Sequence, residues 1–181
     1  MMASMMPTKA TFRFKDNITS TEIKMGMGIM TTWFISDPDV MTITALLQIS
    51  DKKYALVLDS LQVNAYFVDK HRVQLTPTTE TKKIAGFNCK KVMLTDTTGI
   101  SYPVYYTDDI KLRNPNWGTP MKNIKGVLME YPIVLNNIKM VLIANGVSAE
   151  LNDSSVFKTP ADYSKMATMK DMPEIFQSFF P

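Results

Sequence analysis

Hydrophobic and polar residues alternate with a period of two along much of the first half of the chain. Phe12 and Phe14 fall on one side of the first segment, and charged or hydroxyl-bearing residues fall on the other. Met25 and Met27 repeat this pattern, which resumes at Ile43. Such alternation predicts strands that bury one face. The intervals between the segments are too short for helical crossovers, so neighbouring strands should pair antiparallel.

Alternation and turn pairs continue towards the end of the chain, where Asn136-Asn137 and Asn145-Gly146 are typical of hairpins. We predict strands over residues 10–14, 22–29, 41–47, 54–58, 61–68, 88–95, 100–107, 127–135, 138–145 and 147–151. A flat open sheet of roughly nine to ten strands would have to curl, split or close. The predicted fold class is therefore mainly β, with a single curved antiparallel sheet that forms an open part-barrel.

The last residues change to a helical period. Five apolar side chains share one stripe, namely Met172, Ile175, Phe176, Phe179 and Phe180. This stripe predicts a short C-terminal amphipathic helix packed on the sheet, which either completes the core or acts as a mobile lid over a ligand site. No repeat or linker divides the chain. We therefore expect one domain over residues 1–181, with 1–7 poorly ordered, 8–163 in the sheet and 164–181 in the helical tail.

Composition narrows the functional classes. The 181 residues are 45% hydrophobic and 20% charged, which is ordinary globular usage rather than that of a disordered or fibrous chain. The basic residues are dispersed and the formal net charge is only +3, so we expect no nucleic-acid partner. One cysteine, Cys89, cannot form an internal disulfide.

The candidate chemistry is sparse. The 15 methionines have two readings: Met25 and Met27 supply thioethers for Cu(I), or methionines line an adaptable apolar surface. Cys89 and His71 could form a nucleophile and base, although the sequence shows no third member, and a packed cysteine is favoured. No phosphate loop, nucleophile elbow or zinc-binding His pair occurs. We therefore expect no enzymatic activity and no cofactor.

Three phrases resemble secreted proteins of Gram-negative envelopes. They are Lys82 to Lys91, Val104 to Ile110 and Ile124 to Glu130, and the ending Phe157 to Tyr163 adds a fourth. Together they resemble the GLPGLI-type proteins and a neighbouring family of unknown function. Lys125-Gly126-Val127-Leu128 departs from the GLPGLI signature, which favours the neighbour. The resemblance implies export to the periplasm or outer membrane, with a curved-sheet fold like that of the LolA/LolB lipoprotein carriers.

Three functional hypotheses follow for this non-enzymatic protein. In the first, the concave sheet binds a lipid, an acyl chain or another apolar molecule, lined by Phe12, Phe14, Met25, Met27, Trp33, Ile43, Tyr106, Trp117, Phe176, Phe179 and Phe180. In the second, the core is filled and a surface around Trp117 meets an envelope protein. The third is Cu(I) binding through Met25 and Met27.

Overall fold

The computed structural model describes Pro7 and residues 9–135 and 138–165. Within them the fold is mainly β, with one short helix, α1 (Ser60–Val63). The strands are β1 (Lys9–Lys15), β2 (Ile18–Met25), β3 (Met30–Asp37), β4 (Thr42–Ile49), β5 (Lys52–Leu58), β6 (Gln74–Ile84), β7 (Phe87–Thr95), β8 (Ser101–Thr107), β9 (Val127–Leu135), β10 (Ile138–Ile143) and β11 (Ser164–Lys165). No helix in this part of the chain is both long and apolar enough to cross a membrane. The predicted C-terminal helix lies outside the described residues, as do the predicted Asn136-Asn137 turn and most of the N-terminal segment.

The predicted single sheet is not confirmed, because the described strands form two sheets. One has the order β1-β2-β3-β4-β5-β11 and the other the order β10-β9-β8-β7-β6. By its internal contacts the chain divides into two compact units: unit 1 comprises residues 1–59 and 153–181, and unit 2 comprises residues 60–152. The expectation of one domain stays a prediction. The chain leaves the first sheet after β5 through a helical segment, so β6 begins a new sheet instead of extending the old one.

In unit 1, β1 to β5 form an antiparallel meander whose register defines two faces. Residues directly opposite each other across a ladder share a face. The Phe12 face is the one that carries the row Phe12, Thr21, Phe34, Ala45 and Leu56. The Arg13 face is the opposite one, with the row Arg13, Ser20, Ile35, Thr44 and Val57. The two-residue strand β11 adds to β5 in parallel.

Both faces of this sheet contribute buried side chains. On the Arg13 face, Ile35, Leu46 and Ala55 form a cluster to which Trp33 and Tyr163 add. The Phe12 face buries, among others, Ile43, Ala45, Leu47, Ile49, Leu56 and Leu58. Because β3 and β4 bury side chains on both faces, we expect the middle of the sheet to contribute most of the hydrophobic stabilisation of unit 1.

Unit 2 is a five-stranded antiparallel sheet with a cluster on each face. Val92, Leu94 and Val104 pack with Met121 and Ile124 from the loop that precedes β9. Four more side chains form the other cluster: Ile84, Cys89, Val127 and Met129. The register shifts between Tyr105 and Tyr106, opposite β9. Leu128 and Met129 lie in different clusters because successive residues of a strand point to opposite faces.

The strand predicted over residues 61–68 is wrong. This segment is helical: α1 continues as a π-helical turn, Asn64–Val68. Val63 and Val68 are buried, whereas Leu61 is exposed. A π turn is wider than an α turn, so residues five apart come near the same side. Burial of this pair explains why the helical form replaces the alternation seen in the sequence.

Two other predicted strands are altered. Residues 22–29 do not form one strand, because β2 ends at Met25 and a 3₁₀ turn, Gly26–Gly28, follows. Gly26 and Gly28 occupy the left-handed region in this turn, at φ 57° and 92°, where glycine is unstrained. Residues 147–151 form no strand. The two large apolar side chains of this segment, Val147 and Leu151, are both exposed. Pairing the segment with a neighbouring strand would therefore bury little apolar area.

Candidate functional site

Four of the predicted ligand-lining residues share the Phe12 face of unit 1: Phe12, Phe14, Met25 and Ile43. Trp33 does not, because it pairs with Glu22 and therefore lies on the Arg13 face. The face assignment follows from register alone. The four residues therefore share one face, with Met25 at the opposite end of β2 from the row of Phe14, and Trp33 lies on the other face.

An aromatic strip lies at the outer edge of the Phe12 face, on β1, which is the end strand of its sheet within the described part of the chain. The rings of Phe12 and Phe14 are 6.1 Å apart at an interplanar angle of 41°. Phe12 keeps 41% of its surface exposed, and Phe14 is half-buried. Centroids at this distance fall within the range of favourable aromatic pairs. We call Phe12 and Phe14 the edge strip; it is apolar, preformed and open.

On the Arg13 face Trp33 is covered instead of open. Its ring meets Tyr163 edge to face at 6.4 Å and 81°. Lys53 lies 5.8 Å from the centre of the Tyr163 ring and forms an ion pair with Asp162. Burial raises the pKa of the Tyr163 hydroxyl, with a further contribution from Asp162. Tyr163 therefore covers Trp33, which makes Trp33 a packing residue.

The remaining predicted residues lie elsewhere. Tyr106 packs on the cluster of Val92, Leu94 and Val104 in unit 2. Trp117 is half-buried in the loop before β9, where its backbone N–H donates to the backbone carbonyl of Asn114 at 3.2 Å. Phe176, Phe179 and Phe180 lie outside the described residues. Tyr106 and Trp117 therefore belong to the architecture of unit 2 rather than to the edge strip.

Sequence reasoning missed the two residues that shape the Trp117 loop. The buried Asn116 amide donates to the carbonyls of Ile124 and Gly126, at 2.7 and 2.9 Å. A Cβ on Gly126 would lie 2.5 Å from the Thr107 carbonyl oxygen. The glycine is required because the loop approaches β8 too closely for any side chain. The only sequence signal was the Gly126 that follows Lys125 in the family-like phrase.

Met25 and Met27 do not share the face that the Cu(I) hypothesis requires. Met25 is 7% exposed, whereas Met27 is 90% exposed. Met27 lies outside β2, in the 3₁₀ turn that follows it, and adopts φ 55°. Among the described residues no group of three or more His, Cys, Asp or Glu side chains could hold a metal ion.

Cys89 is fully buried in unit 2. Its thiol donates weakly to the Phe87 carbonyl oxygen at 3.6 Å. Burial raises the pKa of the thiol above its ordinary value, so the neutral form is favoured and the nucleophilic thiolate is suppressed. His71 is exposed. This arrangement is that of a packed cysteine and not of an activated nucleophile.

We therefore expect Cys89 in the native protein to react slowly with a thiol-specific disulfide reagent at neutral pH. In denaturant the same thiol should react at the rate of a free cysteine, because burial is the cause of its protection. Stopped-flow absorbance with and without urea measures both rates. Equal rates in the two conditions would contradict the burial of this side chain.

Comparisons with known proteins complete this description. No protein-family model matches the sequence, and no curated protein matches it either. Among solved structures the chain is similar to PNGF-II in its C2 crystal form, with a TM-score of 0.49 and 17% sequence identity. The match covers 93% of this chain and 32% of that one, so this chain spans less than two thirds of that protein's length. These similarities do not assign the chain to a family.

Proposed function

We propose that this protein is a non-enzymatic binding protein of the cell envelope that holds an acyl chain or a similar apolar molecule against the edge strip. The observation that supports it is the paired, open ring surface of Phe12 and Phe14, 6.1 Å apart on an edge strand. Apolar area of this kind gains roughly 25 cal/mol for each Å² removed from water. A ligand that covers the rings would bind without rearranging the strand.

The size of the strip favours a small molecule over a protein partner. A phenylalanine side chain buries roughly 150–250 Å² when fully covered. Phe12 is 41% exposed, so the strip offers on the order of 100 Å². A stable protein interface needs about 800 Å² on each side. An extended hydrocarbon chain along β1 matches the available area better.

The envelope location in this proposal rests on the phrases from Lys82 to Glu130 that resemble exported proteins. Expression of the full gene in its native host, followed by fractionation, tests the location. Recovery in the periplasm or with the outer membrane is the expected result. Recovery in the cytoplasmic fraction would contradict the envelope location. It would not affect the proposal that the edge strip binds an apolar ligand, which has its own test below.

Replacing Phe12 with serine should weaken binding of a long-chain fatty acid about thirtyfold. The reason is the loss of roughly 80 Å² of apolar contact, worth about 2 kcal/mol. Native mass spectrometry across a panel of fatty acids and phospholipids measures the wild-type binding. Displacement of a fluorescent fatty acid then compares the variants.

Val57→Ser is the matched control, because Val57 is also exposed, at 53%, but points to the opposite face. It should bind like the wild type. Thermal unfolding of both variants shows whether the fold is retained. Equal binding by Phe12→Ser and the wild type would contradict the proposal. The absence of binding to every member of the panel would also contradict it, and would favour a protein with a filled core that binds another envelope protein.

A further inference from the structure

A shallow groove opens on the Arg13 face, on the side of the sheet opposite the edge strip. It has a volume of about 220 Å³ and is lined by Lys15, Asp16, Ile18, Ser154, Phe157 and Lys158. The floor comes from the β1–β2 hairpin, and the wall comes from the 3₁₀ turn Ser155–Phe157, which lies against β2. Drug-sized ligands occupy pockets of roughly 300–1,000 Å³. This groove therefore suits a smaller molecule.

The lining combines cations with an apolar wall. The charged residues in the lining are two lysines, Lys15 and Lys158, and one aspartate, Asp16. Neither lysine forms a salt bridge within the described part of the chain. Ile18 and Phe157 are half-buried and supply the apolar surface. An anion with a small apolar body fits this pattern better than a cation does.

Two buried polar atoms lie one row further along the same face. Arg13 pairs with Ser20 across the β1–β2 ladder, and Lys15 pairs with Ile18. These two pairs are neighbours on the same face, about 7 Å apart along the strands. Within the described residues, neither the Arg13 Nη1 nor the Ser20 Oγ has a hydrogen-bond partner. Ser20 is completely buried. Neither residue lines the groove and both atoms are closed to solvent, so they lie beneath the groove and not in it.

The neighbouring carboxylates already have partners of their own. Glu22 accepts from Arg13 Nη2 at 3.0 Å and pairs with Lys24 at 3.0 Å. Burial would raise the pKa of Glu22, but hydrogen bonds from Lys24 and Arg13 outweigh burial and lower it. Asp153 accepts from the Ser155 N–H and hydroxyl, both at 2.8 Å. The donors on Arg13 Nη1 and Ser20 Oγ are thus not used by these acids.

We propose that the groove binds a small organic carboxylate, with Lys15 and Lys158 pairing with the anion and Ile18 with Phe157 contacting its apolar body. This site is independent of the proposed acyl site, because the two lie on opposite faces of the sheet. It uses charge and hydrogen bonds, whereas the edge strip uses apolar area alone. Charge-assisted bonds to a carboxylate are stronger than neutral ones.

Titration of the full chain with benzoate, followed by NMR, tests this site. We expect saturable shifts confined to the amides around Lys15–Ile18 and Ser154–Lys158. Benzyl alcohol has the same ring without the charge, and inorganic phosphate has charge without the ring. Both should bind at least about tenfold more weakly than benzoate, which corresponds to about 1.4 kcal/mol. Equal binding of either probe, or shifts spread over the surface, would overturn the proposal.

Variants separate the site from general charge attraction. Lys15→Gln combined with Lys158→Gln should weaken benzoate binding about tenfold, whereas Asp16→Asn should strengthen it a few-fold by removing a like charge. Lys125→Gln is the control, because Lys125 belongs to unit 2 and contacts Asn114. Ser20→Ala is a second control and should leave benzoate binding unchanged, because Ser20 is completely buried and lies outside the groove's lining. Unchanged binding in the double variant would overturn the proposal.

Discussion

Replacing Gly126 with alanine should destabilise the protein by about 3 kcal/mol. The new Cβ would lie 2.5 Å from the Thr107 carbonyl oxygen, 2.6 Å from a ring carbon of Tyr106 and 2.8 Å from an Asp108 carboxylate oxygen. Backbone and ring atoms on three sides cannot all move away cheaply. The shift would also disturb the Gly126 carbonyl, which accepts from the buried Asn116 amide at 2.9 Å. Urea unfolding followed by circular dichroism measures the loss.

Gly146→Ala is the matched control for this substitution. No atom lies within 4 Å of a Cβ built at Gly146, and the residue is exposed. Alanine there should leave the free energy of unfolding unchanged or raise it slightly, because it reduces the freedom of the unfolded chain. Equal stabilities for the two variants would contradict the close approach of the loop to β8.

Truncating Leu58 to alanine should lower the free energy of unfolding by about 2–5 kcal/mol. Leu58 is 0% exposed on the Phe12 face, so the truncation removes buried contacts and leaves a cavity. Val57, the preceding residue, lies on the opposite face and is exposed. Val57→Ala should therefore cost less than about 1 kcal/mol. A larger loss for Val57→Ala than for Leu58→Ala would reverse the face assignment of β5.

Strands that bury one face were the most predictable part of this fold. The alternation predicted β1 and β5 in unit 1, and the structure confirms them with small shifts at their ends. It also predicted β4, which the structure confirms although Leu46, on the second face of that strand, is buried too. The strands over residues 88–95, 100–107, 127–135 and 138–145 are likewise confirmed as β7 to β10. A period of two is visible in a sequence when one side of a strand is buried and the other is wet.

Strands without that contrast were not predicted. β3 has buried residues on both faces, including Thr31, Thr32 and Ile35, so its sequence shows no alternation. β6 is an edge strand of mostly exposed polar residues, with a register shift after Pro77. The prediction for residues 61–68 was wrong for the opposite reason. The apolar residues there have the spacing of a strand, but the segment is helical and buries only some of them.

The candidate site was predictable only where it depended on one strand. Phe12 and Phe14 share a face by spacing alone, and the structure keeps them together. Assigning Trp33 to the same face required the register of β2 against β3, which a period of two cannot supply. The groove forms because Phe157 and Lys158, far along the chain, lie next to the hairpin at residues 15–18. Such long-range proximity has no local signal in the sequence.

The most direct test of the acyl-binding proposal is to map a bound fatty acid onto the protein. A stearic acid that carries a nitroxide on its chain broadens the NMR signals of nearby amides. We predict broadening concentrated on β1 and the neighbouring residues of the Phe12 face, around Phe12, Phe14 and Phe34, and its loss when unlabelled stearic acid is added. Broadening centred on any other surface, or none at all, would contradict the proposal.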